Sequence, residues 1–315
     1  MLVSSSIFIV SLLILLLSAR FLTRAAEILG LHFGMSPFVI GVFIVGIGTS
    51  LPELVAGILA GFSGNSEIVS GNVLGANISN IFLIMGLIAV LSRKGIDLGS
   101  GYIMIDLNFL IGSSLLLGLI MMDGNISFSE GLFLLATYAV YGHFLLRSGR
   151  KPLPEPEVTD SPDRTAFPVK PLLILLASAF GIYIGADHTV ASIIEIADHL
   201  DVPTSLISLT VLSLGTTLPE LAVGITAIGQ GKAAIAVGNI LGSCVFNALV
   251  IPGAVSGFGA IQVPEYLVGF SLPVFVVASL LFYLLTQDKK ISPSEGLLFL
   301  VFYAFFISKA AASFI

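Results

Sequence analysis

Apolar stretches of about 20 residues recur from one end of this 315-residue chain to the other, and each is long enough to cross a bilayer as a helix. With 56% hydrophobic residues, 10% charged residues and a mean hydropathy of +1.07, the sequence reads as an integral membrane protein. Spans are expected near 4–28, 36–62, 66–92, 99–122, 128–146, 171–198, 203–228, 232–257, 264–286 and 293–313. The first has no basic residue ahead of its apolar core, so it is read as a span and not as a cleaved signal peptide. The one long polar segment, RSGRKPLPEPEVTDSPDRTAFPVK at 147–170, is expected to be a linker between a first half, 1–146, and a second, 171–315.

Twelve of the thirteen Lys and Arg residues fall at connections after odd-numbered spans, and only Lys309 falls toward the other face. By the positive-inside rule the basic side is cytoplasmic, which places the linker inside the cell and both termini outside. The acids behind the net charge of −6 are scattered, and nothing in the sequence supports nucleic-acid binding. Cys244, the single cysteine, excludes an internal disulfide and a cysteine-based metal cluster.

The two halves repeat one another. GTSLPEL at 48–54 returns as GTTLPEL at 215–221, and GNVLGANISN at 71–80 returns as GNILGSCVFN at 238–247, both shifted by 167 residues. SEGLFLL at 129 matches SEGLLFL at 294. Five spans per half is an odd number, so the second copy enters the membrane from the opposite side. The expected architecture is all-α, with ten transmembrane helices in two inverted five-helix repeats, as in secondary transporters.

Within this frame Glu53 and Glu220 stand at membrane depth. Ser50 to Glu53 and Thr217 to Glu220 fit the S/T-x-x-E capping box, with Pro52 and Pro219 in the first turn. A helix starting there implies a break in spans 2 and 7, spans 3 and 8 form the matching walls, and helices 2, 3, 7 and 8 are all expected to be broken around a midplane ion site. Each proline donates no amide hydrogen and obstructs the carbonyl four residues back, at Gly48 or Gly215. Freed carbonyls near Gly46 to Thr49 and Ser213 to Thr216, beside two carboxylates, make an oxygen-rich midplane site suited to a hard cation such as Ca2+.

An ionised carboxylate at that depth costs about 2.5 to 3.5 kcal/mol, and spans 2, 3, 7 and 8 contain no Lys or Arg to offset it. One divalent ion, two monovalent ions or protons must balance the pair. Gly71 and Gly75, like Gly238 and Gly242, have small-xxx-small spacing, and Ala76 with Asn80 and Ser243 with Asn247 are i,i+4 pairs on one helix face. Asp106, Asp187 and Glu195 have no counterpart in the other half and suit interhelical bonding or the interface. Glu130 and Glu295 suit the starts of spans 5 and 10.

These motifs resemble the alpha repeats of the cation/Ca2+ exchanger superfamily, most closely prokaryotic Na+/Ca2+ exchangers, over nearly the whole chain. The resemblance implies an alternating-access antiporter with no permanently bound cofactor and no catalytic residue, which exchanges Ca2+ for Na+ as spans 1 and 6 slide against the rest. It further implies that Glu53 and Glu220 coordinate Ca2+ with the carbonyls of Thr49 and Thr216. The backbone of Gly46 and Ser213 and the side chains of Ser50, Thr217 and Ser243 would form flanking Na+ sites, and Asn80 and Asn247 would line the centre. Two positions depart from the pattern: Ala76 stands where serine is usual, and Asn247 where several relatives have aspartate. H+ or K+ coupling is therefore the alternative to Na+, although GNVLG and GNILG lack the GNxxE signature of the proton-coupled branch. A cation channel and an intramembrane hydrolase are the rival classes.

Overall fold

The computed structural model describes residues 2–62, 64, 66–92, 95–98, 103–148, 168–199 and 213–312. It is helical apart from four two-residue strands among these residues. The helices are α1 (Leu2–His32), α2 (Pro37–Phe62), α3 (Glu67–Leu91), α4 (Ile103–Met121) and α5 (Phe128–Ser148). After the linker come α6 (Val169–His199), α7 (Ser213–Gly229), α8 (Ala233–Val255), α9 (Leu267–Leu285) and α10 (Pro293–Ala312). Seven of the described helices are long and apolar enough to cross a membrane by themselves. The linker lies mostly outside the described residues, as does the first part of the span expected at 203–228.

Helix α8 runs through the middle, buried almost without interruption from Ile235 to Ile251, and packs against α2, α3, α4, α5 and α7. Close crossing of α2 and α8 depends on glycine: a β-carbon at Gly242 would come within 2.7 Å of the Val42 Cα. Gly71 meets only Leu267 at 3.8 Å and Gly75 has nothing within 4 Å among the described residues, so among these the expected small-residue seam is seen on α8. Residues 203–212, the repeat counterpart of the stretch of α2 that covers Gly242, lie outside the described set.

The apolar interior divides in two. The larger core joins α2 to α5 with α8 to α10. The smaller is built from Leu15, Ala19, Leu22 and Ala26 of α1 and Ile182 and Ala186 of α6, backed by Ile40, Val45, Ala222, Val223 and Ile235. Helices α1 and α6 lie so close that a β-carbon on Gly185 would approach the Leu15 backbone nitrogen to 2.7 Å. An ion pair ties them to the rest, between Glu27 of α1 and Lys232 ahead of α8, at 2.7 Å.

Two ribbons join the halves. β1 (Ile96–Asp97), between α3 and α4, pairs antiparallel with β4 (Lys290–Ile291), between α9 and α10. β2 (Asn125–Ile126), between α4 and α5, pairs with β3 (Ile261–Gln262), between α8 and α9. A shift of one repeat carries β1 onto β3 and β2 onto β4, so the two ribbons exchange under the repeat.

The breaks expected in spans 2, 3, 7 and 8 take another form. Helix α2 is continuous, but Gly41–Gly46 is wound as a π-helix before the α-helical Ile47–Phe62, which contains Pro52. Helix α3 has a second π-helical stretch at Ser79–Met85, α8 is α-helical throughout, and α7 is uninterrupted from Ser213. A single proline removes one ladder hydrogen bond, and the neighbouring turns close around it; wide π turns often lie at functional positions.

The capping box expected at Ser50 is absent: among the described residues no hydrogen bond reaches the Glu53 carboxylate. Boxes do form at Ser127–Glu130 and Ser292–Glu295, where each serine amide donates to the glutamate at 2.8 and 2.6 Å and each glutamate amide donates back to the serine hydroxyl. Both boxes sit at helix starts, where orphan amides need a partner. Ser50 lies inside a helix that has already started.

Candidate ion site between the repeats

Helices α2, α7 and α8 bring Gly46, Thr49, Ser50, Glu53, Glu220 and Ser243 into one buried cluster. Glu53 is 1% exposed and Glu220 fully buried, and the two carboxylates are near enough to interact electrostatically. Ser50 of α2 donates its hydroxyl to Glu220 Oε1 at 3.3 Å, and Ser243 of α8 reaches the same oxygen at 3.4 Å. The Ser243 hydroxyl is also 3.2 Å from the Gly46 carbonyl and 3.4 Å from Thr49 Oγ1. Thr49 in turn lies 3.3 Å from the Gly46 carbonyl and 3.1 Å from Asn239 Oδ1. The Thr49 and Ser243 hydroxyls each have one proton and face more than one oxygen, so a rotation of the C–O bond turns a lone pair inward without moving the helices.

On these helices and on α3, polar atoms are buried in excess of their partners. Both Glu53 oxygens, Glu220 Oε2, both side-chain polar atoms of Asn77, Asn80 and Asn247, and the amide nitrogen of Asn239 have no nitrogen or oxygen partner among the described residues. A buried polar atom left unpaired costs about 1 to 3 kcal/mol, more when charged. No Lys or Arg is buried among the described residues. The donor set of carboxylates, carbonyl, hydroxyls and amides suits Ca2+ and, with its neutral oxygens, a monovalent ion.

Of the remaining expected residues, Thr217 is buried on α7, while the side chains of Ser213 and Thr216 lie outside the described residues. Ala76 is 2% exposed and brings a methyl group to the position where the second half has Ser243. Asn77 and Asn239 were not singled out by sequence. Asn239 stands four residues before Ser243 and eight before Asn247, on one helical face, and Asn77 stands three before Asn80; that periodicity was the available signal.

The other buried carboxylate belongs elsewhere. Asp106 of α4 accepts a hydrogen bond from the Tyr141 hydroxyl of α5, the interhelical bonding expected of it. Asp187 and His188 are exposed on α6, 3.5 Å apart.

Comparisons with known proteins agree over the full length. The family model described as sodium/calcium exchanger protein matches residues 3–147 and 170–310. The inner membrane protein YrbG of Escherichia coli (strain K12) is 31% identical over 305 residues, covering 94% of this chain and 92% of that protein. The sodium/calcium exchanger MaX1 of Methanosarcina acetivorans is 30% identical over 338 residues, with 96% of both chains covered. Among solved structures, the sodium-calcium exchanger NCX_Mj soaked with 2.5 mM Na+ and 0.1 mM Sr2+ superposes with a TM-score of 0.82 at 27% identity, over 98% of each chain.

Proposed function

Because the chain belongs to the sodium/calcium exchanger family, we propose that it exchanges Ca2+ for Na+ across a cell membrane by alternating access, at one site shared by Glu53 and Glu220. The observation that carries this is the burial of two carboxylates, from equivalent places in the two repeats, among hydroxyls and a carbonyl, with no buried basic side chain among the described residues. Ca2+ draws its ligands from both glutamates and the carbonyls of Thr49 and Thr216, with Asn80 and Asn247 lining the centre. Na+ uses the Gly46 and Ser213 backbone and the Ser50, Thr217 and Ser243 hydroxyls. Both ions need the same carboxylates, so each displaces the other, and competition for one site is the physical basis of antiport.

Ten spans in two inverted repeats, with residues 1–146 and 171–315 as the halves, supply the symmetry. Exchange of the ribbons β1·β4 and β2·β3 under the repeat supports that arrangement, since connection parity puts them at opposite faces. Helices α1 and α6, which share their own small core, form the unit that slides past the other eight. The basic connections and the 147–170 linker face the cytoplasm, and both termini lie outside.

The test is Ca2+ uptake by purified protein in liposomes, with an outward Na+ gradient, an outward proton or K+ gradient, or none. Uptake is expected with Na+. Uptake with only a proton or K+ gradient would replace the coupling ion and keep the site, and equal uptake without a gradient would mean a channel.

A further inference from the structure

We infer, on the alternating-access account above, that the ion pair between Glu27 and Lys232 is a latch that biases the protein toward the arrangement seen here, with α7 covered and α2 bare. The two halves of the structure are unequal. Helix α1 lies along α7, where Ala222 is 3% exposed and Val223 is buried against the small core. One repeat earlier, the same face of α2 is open: Val55, the counterpart of Ala222, is 54% exposed, Leu51 and Leu59 one turn to either side are exposed too, and α6 touches α2 only lightly. Two identical halves would exchange these roles without a change in free energy as α1 and α6 slide. A preference for one arrangement must therefore come from residues that differ between the repeats.

Lys232 Nζ stands 2.7 Å from Glu27 Oε2, with the two side chains 17% and 29% exposed, and the Gln230 amide donates to the Arg20 carbonyl at 3.4 Å. Both contacts join α1 to the turn that follows α7, so a slide that uncovers α7 parts them. The repeat register holds at both ends of the pair. Leu15 and Ala19 of α1 match Ile182 and Ala186 of α6 in the small core, and Gly64 and Gly231 have nearly equal positive φ, 74° and 73°. Under the same shift of 167 residues Glu27 becomes Ile194 and Lys232 becomes Asn65. Residues 63–66, SGNS, include no charged side chain, and the α6 sequence has no Lys or Arg after Lys170. By residue identity alone, the reverse arrangement gains no equivalent pair when α6 covers α2. Lys232 follows α7 on the cytoplasmic side of the proposed topology, so the arrangement that the latch favours is covered toward the cytoplasm and open toward the outside.

The experiment uses right-side-out and inside-out membrane vesicles and reads the Ca2+ concentration that half-saturates exchange at each face. Apparent affinity at a face scales with the fraction of protein open to it, so the ratio of cytoplasmic to outer half-saturating Ca2+ follows the populations of the two arrangements. Lys232→Gln and Glu27→Gln are each expected to lower that ratio by roughly two- to fivefold, the range of a partly exposed ion pair. Binding should weaken outside and strengthen inside, a split that a general loss of stability would not produce. Glu27→Lys combined with Lys232→Glu is expected to restore the ratio. An active single variant with the wild-type ratio, a variant weakened equally at both faces, or a double variant that stays low would overturn the latch. Absence of exchange in the wild-type protein would instead remove the exchange account on which this inference rests.

Discussion

Ser50 on α2 donates its hydroxyl to Glu220 on α7, 3.3 Å away and 170 positions along the chain, while the carboxylate of Glu53, one turn from Ser50 on the same helix, has no hydrogen-bond partner among the described residues. The first repeat thus serves the carboxylate of the second. Such a site is complete only while the two halves hold a fixed relation, which suits a device whose ion binding is coupled to movement between helices.

Ser50→Ala removes one of two hydroxyls on Glu220 Oε1. A hydrogen bond to a charged group is worth about 1.5 to 3 kcal/mol, so the apparent affinity for the driving ion should fall by roughly tenfold or more. The check is the Na+ concentration dependence of Ca2+ flux in Ser50→Ala and Ser50→Thr, with threonine retaining most of the wild-type affinity.

Tyr141→Phe leaves a buried Asp106 oxygen unpaired and should lower stability by about 1 to 3 kcal/mol, read as a fall in the thermal midpoint in detergent. Asp106→Asn keeps the side-chain volume and an acceptor for the tyrosine, so its midpoint should stay near wild type. Neither change should alter the Na+ concentration dependence of transport, since both residues stand outside the ion cluster.

Gly242→Leu drives a side chain into the Val42 backbone and is expected to destabilise the protein by roughly 1 to 3 kcal/mol or more. Gly112→Ala, on α4 with nothing within 4 Å of the added carbon, should leave the midpoint unchanged or raise it. Thermal unfolding of the two purified variants gives the comparison.

Glu27 and Lys232 tie the α1 and α6 pair to the turn before α8. A partly exposed pair contributes about 0 to 1 kcal/mol, so Lys232→Glu should change the transport rate by a few-fold at most. Because the contact is ionic, Glu27→Lys combined with Lys232→Glu should return the rate toward wild type. Rates of the single and double variants at low and high salt decide this.

The sequence was informative where a physical rule acts along the chain. Apolar runs marked the described helices to within a few residues at most ends, because hydrocarbon demands continuous helices of fixed length. The 167-residue repeat singled out Glu53 and Glu220, since a chance acid has no twin. Contacts between repeats were not legible: Ser50 to Glu53 follows capping grammar letter for letter, yet Ser50 spends its hydroxyl on Glu220, and only the packing of α2 beside α7 reveals that. The π turns at Gly41–Gly46 and Ser79–Met85 likewise depend on neighbouring helices, and the two-residue strands are too short to carry an alternating pattern.

The most direct measurement is Na+-driven Ca2+ uptake by liposomes containing wild-type protein, Glu53→Gln or Glu220→Gln at matched amounts of folded protein. Glutamine keeps the volume and one oxygen but removes the charge that each ion must neutralise, so both variants should lose uptake entirely. Wild-type flux in either one would show that the two carboxylates do not share the transported ion.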